Sequence, residues 1–137
     1  CLVGSEMCIR DRTWAGWALG QNWFREKLYL KDGYNTPQEV LDKLWRTIYY
    51  KRDANDLLAM IRTWQDHDIS NNDVFKGNLQ KALSSIKANV VLMPGINDLY
   101  FPPEENLREV KYLKKGKVEI IPSNYGHYAG AGKCKEF

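Results

Sequence analysis

The stretch that decides the fold is Val90-Val91-Leu92-Met93-Pro94-Gly95-Ile96-Asn97-Asp98. Its first four residues form a continuous apolar run closed by Pro94-Gly95, which is typical of a strand buried on both faces of a parallel sheet. A second run of this kind, Val118-Glu119-Ile120-Ile121, stops at Pro122. Between the runs, Pro102-Pro103 predicts the start of a helix. We therefore predict a right-handed βαβ unit with a short loop on each side of its helix, and we expect the second face of its strands to lack partners within this chain.

A chemically active side chain lies in the loop that follows each predicted strand. These side chains are Asp98, after the first strand, and His127, after the second. Parallel neighbouring strands end at the same edge of a sheet, so we expect the carboxylate and the imidazole to meet. Together they are typical of the acid and base of nucleophilic catalysis, in which the base takes a proton from a serine or cysteine. Taken singly, Asp98 as a turn cap and His127 as a surface residue are the alternatives.

The region before the strands predicts helices. Apolar and aromatic residues recur there at steps of three and four positions, beginning with a stripe that includes Trp14 and Trp17. Thr36-Pro37-Gln38-Glu39 predicts a helix start with a capping box, and Asp53 predicts the cap of a later helix. We therefore expect a helical lid over residues 13–86 and a part of a sheet core over residues 87–137.

The first twelve residues resemble a translated sequencing-adapter read, and we predict that residues 1–12 are a non-native tail. The alternative is a natural N-terminal tail. Three cysteines, Cys1, Cys8 and Cys134, fit neither a disulfide framework nor a zinc spacing. We expect the Cys134 thiol to be unreactive and the protein to be located in a reducing compartment, the cytoplasm.

Charge and hydropathy exclude several classes of partner. The net charge of +3 arises from 20 basic and 17 acidic side chains mixed along the chain, so no phosphate-tracking stripe is expected and nucleic acid is not a predicted partner. No apolar run approaches the length of a membrane span, and we expect no membrane partner. His67 lies between Asp66 and Asp68, but three consecutive side chains cannot all face one ion, so we predict a solvated helix end and no metal.

Several segments in combination resemble the homoserine O-acetyltransferase family of α/β-hydrolases. The resemblance covers essentially everything after Arg12. The segments that carry it are Trp14-Ala-Gly-Trp17, Lys51-Arg-Asp-Ala-Asn-Asp-Leu57, Trp64-Gln-Asp-His-Asp-Ile-Ser70, Leu92-Met-Pro-Gly95, Asp98-Leu-Tyr-Phe-Pro-Pro103 and Ile121-Pro-Ser123 with Gly126-His127.

The resemblance implies an α/β fold in which this chain is the C-terminal part of an α/β-hydrolase. It further implies acyl transfer through a serine acyl-enzyme, with Asp98 and His127 as acid and base and the serine supplied from elsewhere, because no Gly-x-Ser-x-Gly occurs in the sequence. The expected partners are a small-molecule acyl donor, with acyl-CoA as a candidate, and an acceptor. No tightly bound cofactor is expected, and a homodimer through the lid is a further prediction.

Three residues are predicted to contact the substrate. Asp53 and Asn55 fall in the part of the family's lid near the active-site entrance, with helix capping as the alternative. Tyr128 stands where the acetyltransferases usually have an acidic residue that helps to hold the amino group of homoserine. The sequence therefore leaves open a related acyltransferase, a carboxylic-ester hydrolase or a non-catalytic binding protein of the same fold. We expect the isolated chain to be inactive.

Overall fold

Helices and one pair of parallel strands make up the computed structural model, which describes the backbone of residues 2–50 and 52–132 and the side chains of residues 12–48 and 52–132. The strands are β1 (Val90–Leu92) and β2 (Gly116–Val118). The helices are α1 (Leu2–Arg25), α2 (Leu28–Lys31), α3 (Pro37–Val40), α4 (Arg46–Tyr50), α5 (Ala54–Asp66), α6 (Leu79–Ser84) and α7 (Pro103–Glu109), with a π-helical turn at Leu41–Trp45 and 3-10 turns at Val110–Tyr112 and Gly126–Ala131.

The two strands are parallel and joined by α7, as predicted for a βαβ unit. Val90 pairs with Gly116 and Leu92 with Val118. The second strand begins earlier than the predicted run at Val118, but backbone pairing continues beyond it to an isolated bridge between Gly95 and Ile121. In that bridge the Ile121 amide donates to the Pro94 carbonyl at 2.9 Å. The apolar run thus marked the paired segment, although its last part is not a regular strand.

The apolar runs are typical of strands buried on both faces, but a lone βαβ unit lacks partners for the second face, and the exposure of these runs agrees with that expectation. Val91 is 45% exposed and Ile120 is 39% exposed. Leu107 of α7, at 45% exposed, does not cover them either. A two-stranded sheet with one helix has too few neighbours to enclose its apolar side chains.

The core lies where α1 packs against the segments that follow it. The predicted stripe of tryptophans is wrong in detail, because Trp17 is 51% exposed while Ala15, Ala18 and Trp23 are each 1% exposed. Small side chains on this face let the helix approach its neighbours closely. The helix is also kinked at Gly20, whose φ of 73° is favourable only for a residue without a side chain.

The predicted helix caps are confirmed, although the Glu39 carboxylate accepts from the Asn35 amide at 2.6 Å instead of the Thr36 amide that a capping box would use. The Thr36 hydroxyl accepts from the Glu39 amide at 3.1 Å, with Pro37 in the first turn of α3. The Asp53 carboxylate accepts from the Asn55 amide at 2.7 Å and caps α5. Side chains of this type at helix starts satisfy amides that have no partner within the helix.

Other predicted features are not decided by this architecture. The divisions at residues 12 and 86 stay predictions, and Cys1 and Cys134 lie outside the described residues. Within the part of the chain that the structure describes, no helix combines the length and apolar character needed to cross a bilayer.

Candidate active site

The loops after β1 and β2 bring Asp98 and His127 together. Oδ2 of Asp98 lies 2.9 Å from Nδ1 of His127, although the two residues are 29 positions apart in the chain. A carboxylate oxygen can only accept, so Nδ1 carries the proton and donates it. The second ring nitrogen, Nε2, is then the one that can accept a proton from a reacting group.

Asp98 is buried and its orientation is fixed by the turn that follows it. Its side chain is 8% exposed. Oδ1 accepts from the backbone amides of Tyr100 at 2.8 Å and Phe101 at 3.1 Å, which leaves Oδ2 for the imidazole. Asp98 therefore caps the turn and pairs with His127 at the same time, because each oxygen of the carboxylate has its own partners.

His127 lies at the border between the protein and solvent, with its side chain 40% exposed. Tyr100 meets the imidazole edge-on at a centroid distance of 4.7 Å, and Phe101 lies 5.4 Å away. The Tyr100 hydroxyl donates to the Trp14 carbonyl of α1 at 3.2 Å. The ring thus has aromatic walls that limit its rotation while one edge stays accessible.

Two glycines allow the histidine loop to lie against its surroundings. A Cβ at Gly126 would lie 2.7 Å from the Ala18 carbonyl oxygen of α1, and the residue has a φ of 57°. A Cβ at Gly95 would lie 2.8 Å from the Gly126 carbonyl oxygen. Only glycine fits these approaches, so the backbone itself sets the position of His127.

A cavity of about 640 Å³ opens beside the pair. Asp98, Phe101, His127 and Tyr128 contribute to its walls. Tyr128 also packs edge-on against Trp45 at 6.3 Å, which ties the cavity wall to the helical region. A small ester can enter such a cavity, since ligand sites generally have volumes of about 300–1,000 Å³.

The two other predicted substrate contacts lie elsewhere. Asp53 caps α5 and lines a separate hollow of about 570 Å³ with Arg52 and Met60. Asn55 is exposed on the first turn of the same helix. Tyr128 is the predicted contact that shares the cavity of His127. Substrate contact by Asp53 and Asn55 stays a prediction.

Sequence patterns did not reveal the polar contacts that join the two loops. Asn97 donates through Nδ2 to Oδ1 of Asn124 at 2.7 Å, and Asn124 donates to Glu26, directly after the end of α1. The signal that could have indicated them is a polar amide in each loop near the active residue. Partners so far apart in the sequence cannot be matched without the fold.

A second polar cluster lies behind Tyr128. The Trp23 indole and the Tyr125 hydroxyl both donate to Asp32, each at 3.3 Å. Burial and, to a lesser extent, the nearby Asp32 carboxylate raise the pKa of the Tyr125 hydroxyl above its usual value. The hydroxyl therefore stays a proton donor in this cluster.

No group of three potential metal-ligating side chains occurs among residues 12–48 and 52–132. Asp68, beside the sequence candidate His67, accepts from the Ser70 hydroxyl at 2.6 Å and from the Ser70 amide at 2.8 Å. These bonds, the hydroxyl first, lower the pKa of Asp68 from its usual value. The Asp68 carboxylate thus stabilises the turn that contains Ser70.

Solved structures with the same architecture include the acetyl esterase MekB, at a TM-score of 0.83 and 27% identity, with 89% of this chain and 35% of that chain covered. An acetylester hydrolase from Corynebacterium glutamicum matches with a TM-score of 0.83 and 23% identity, over 89% of this chain and 34% of the other. The fold is that of an α/β-hydrolase. The predicted fold class, a C-terminal part with a helical region followed by a parallel βαβ unit, is confirmed.

Similar sequences are also esterases. The ethyl acetate hydrolase of Pseudomonas veronii is 30% identical over 125 residues, which cover 91% of this chain and 35% of that protein. A probable esterase of Corynebacterium glutamicum is 25% identical over 118 residues, covering 86% of this chain and 33% of the relative. No protein-family model matches the chain. The chain therefore spans about a third of the length of these relatives.

Proposed function

We propose that this chain is the part of a carboxylic-ester hydrolase that supplies the acid and base of a catalytic triad. The observation that carries the proposal is the 2.9 Å contact between Asp98 Oδ2 and His127 Nδ1 at the mouth of a cavity. Support comes from the esterase relatives, whose similarity reaches across most of the chain. Of the alternatives that the sequence left open, ester hydrolysis agrees best with these relatives.

The proposed reaction begins with a serine hydroxyl supplied by another part of the hydrolase. Nε2 of His127 takes the hydroxyl proton while the oxygen attacks the ester carbonyl, and Asp98 accepts the Nδ1 hydrogen bond and stabilises the imidazolium. The imidazolium then gives its proton to the departing alkoxide, leaving an acyl-enzyme. Water attacks the acyl-enzyme next and loses a proton to His127, and the imidazolium then returns that proton to the serine oxygen as the carboxylic acid is released.

Acyl transfer is the second candidate and differs only in the final acceptor. In that case an alcohol such as homoserine replaces water, with acyl-CoA as a donor. The position after the histidine disfavours homoserine, because Tyr128 packs against Trp45 and brings no carboxylate for an amino group. We therefore place water first as the acceptor. The cytoplasmic location and the homodimer through the lid stay predictions.

A chimaera tests the proposed function. In it, this chain replaces the matching third of the Pseudomonas veronii ethyl acetate hydrolase, so that the serine comes from the relative. We expect the chimaera to hydrolyse 4-nitrophenyl acetate and ethyl acetate, and the isolated chain to hydrolyse neither. Product analysis with acyl-CoA and homoserine present separates hydrolysis from transfer.

The matched control is the same chimaera with His127→Ala, which keeps the fold but lacks the base. A folded chimaera that binds substrate yet shows no turnover above this control would contradict the proposal and favour the binding-protein alternative. Hydrolysis by the isolated chain that disappears with His127→Ala would show instead that no outside serine is needed.

A further inference from the structure

The two active loops are joined by a pair of asparagine side chains. Asn97, directly before Asp98, donates through Nδ2 to Oδ1 of Asn124 at 2.7 Å and to the Ser123 carbonyl at 3.4 Å. Asn124 lies three residues before His127. The bonds therefore connect the loop that carries the acid to the loop that carries the base.

Helix α1 holds the other side of Asn124. Its Nδ2 donates to both carboxylate oxygens of Glu26, at 2.9 and 2.8 Å, and its Oδ1 also accepts from Asn22 at 3.4 Å. Asn22 lies in the last turn of α1, and Glu26 follows directly after the helix, where its amide still donates to the Asn22 carbonyl at 2.9 Å. The bond to a carboxylate is charge-assisted and stronger than a bond between neutral groups.

The hydrogen bonds at this position need a side chain that both accepts and donates. The side chain must accept from Asn97 on one side and donate to Glu26 on the other, which a carboxylate or an apolar group cannot do. The backbone reinforces this arrangement, because the Asn97 carbonyl oxygen lies 3.1 Å from where a Cβ at Gly20 would be. The C-terminal end of α1 thus contacts both loops.

We propose that Asn124 is a positioning residue that keeps His127 within hydrogen-bonding distance of Asp98 by linking the two loops to α1. Its role in catalysis rests on the proposed function, whereas its role in the pairing of Asp98 with His127 does not. Without the link, each loop keeps its own turn bonds but loses the constraint that fixes one loop relative to the other.

The test measures the tautomer of the neutral His127 ring by two-bond ¹H–¹⁵N NMR on the full chain. The variant is Asn124→Asp, which keeps the acceptor for Asn97 but turns a carboxylate oxygen toward Glu26. We expect the ratio of the Nδ1–H to the Nε2–H tautomer to fall at least about fivefold, because a displaced ring loses its hydrogen bond to Asp98. The backbone amide spectrum shows whether the chain stays folded.

A second substitution provides the rescue. In the double variant Glu26→Gln with Asn124→Asp, the introduced glutamine amide donates to the introduced carboxylate, so the bond is restored with its polarity reversed. We expect the tautomer ratio to return to within about twofold of the original, as for a neutral exchange of hydrogen-bond partners. The control Asn89→Asp alters an exposed asparagine at the opposite end of β1 and should leave the ratio unchanged.

An unchanged ratio in a folded Asn124→Asp chain, or no recovery in the double variant, overturns the proposal. If Asn124→Asp does not fold, Asn97→Ala decides, since it removes only the bond between the loops. A loss of pairing supports the proposal and an unchanged ratio overturns it. Because no ester is used, an inactive chimaera would contradict the esterase proposal while leaving this result intact.

Discussion

The loops around the sheet and helix α5 show opposite relations to the rest of the chain. Asp98 and Ser123 are buried at 7% and 6% exposure, and hydrogen bonds tie their loops to each other and to α1. Helix α5 has no buried residue, and its Trp64 is 61% exposed. The contact it makes with the active loops is the edge-on packing of Trp64 on Phe101 at 6.4 Å.

The chain thus positions the loops around the sheet with its own residues, whereas it does not bury helix α5. Hydrogen bonds within the described residues hold Asp98 and pair it with His127. The apolar side of α5, which includes Met60 and Ile61, stays open to solvent in the same structure. The site loops should therefore be sensitive to single changes and α5 should be tolerant of them.

The largest expected effect is on turnover by the chimaera. Asp98→Asn removes the carboxylate that selects the Nδ1–H tautomer, and we expect kcat to fall about 10⁴-fold, as in other triads that lose this charge. Steady-state kinetics with 4-nitrophenyl acetate measure it. The matched change Asp53→Asn at the cap of α5 should leave kcat within about threefold, while a raised KM there would support the predicted substrate contact.

The effect of a substitution on the free energy of unfolding should likewise differ between a buried and an exposed tryptophan. Trp23 is 1% exposed, donates to Asp32 and packs edge-on against Phe24 at 4.9 Å. We expect Trp23→Ala to lower the free energy of unfolding by about 3–5 kcal/mol, the usual cost of removing a buried aromatic side chain. Urea denaturation of the full chain measures it. For Trp64→Ala we expect a loss of less than about 1 kcal/mol. Equal losses in the two variants would contradict the expected difference between the two regions.

A smaller loss of stability is expected in the histidine loop. Gly126→Ala places a side chain at positive φ and within 2.7 Å of the Ala18 carbonyl, which we expect to cost about 2–3 kcal/mol. The control Gly130→Ala has no atom within 4 Å of its new Cβ, and we expect a change within about 0.5 kcal/mol. Thermal unfolding of both variants compares them, and a neutral Gly126→Ala would refute the close packing on α1.

The smallest effect concerns pH and the turn after α5. Hydrogen bonds from Ser70 lower the pKa of Asp68 below its usual 3.8, so its stabilising contribution is complete above that value and is lost as pH falls through the lower pKa of the folded state. Asp68→Asn should therefore reduce stability near neutral pH and make less difference at strongly acidic pH. Denaturation at several pH values checks this. A difference that grows on acidification would contradict it.

Local chemistry made much of the fold predictable. The strand from Val90, the caps Thr36 and Asp53 and the two loops after the strands all follow from residues close together in the sequence. A helix cap and an apolar strand closed by proline can each be recognised from a few consecutive residues. The α/β-hydrolase fold also follows from short segments taken in combination, whereas the homoserine O-acetyltransferase activity that they suggested stays a prediction.

Features that depend on distant partners could not be predicted. The buried face of α1 includes Ala15 and Ala18, and the histidine loop packs closely there, with Gly126 against the Ala18 carbonyl. The bond between Glu26 and Asn124 joins residues 98 positions apart, and neither has a local signal.

The claim that this chain builds the acid and base pair from its own loops is tested most directly by the tautomer of His127 in the isolated chain. Two-bond ¹H–¹⁵N NMR should show the neutral ring protonated at Nδ1, and Asp98→Asn should shift the proton toward Nε2. A ring protonated mainly at Nε2 in the unaltered chain, with no response to Asp98→Asn, would contradict the account.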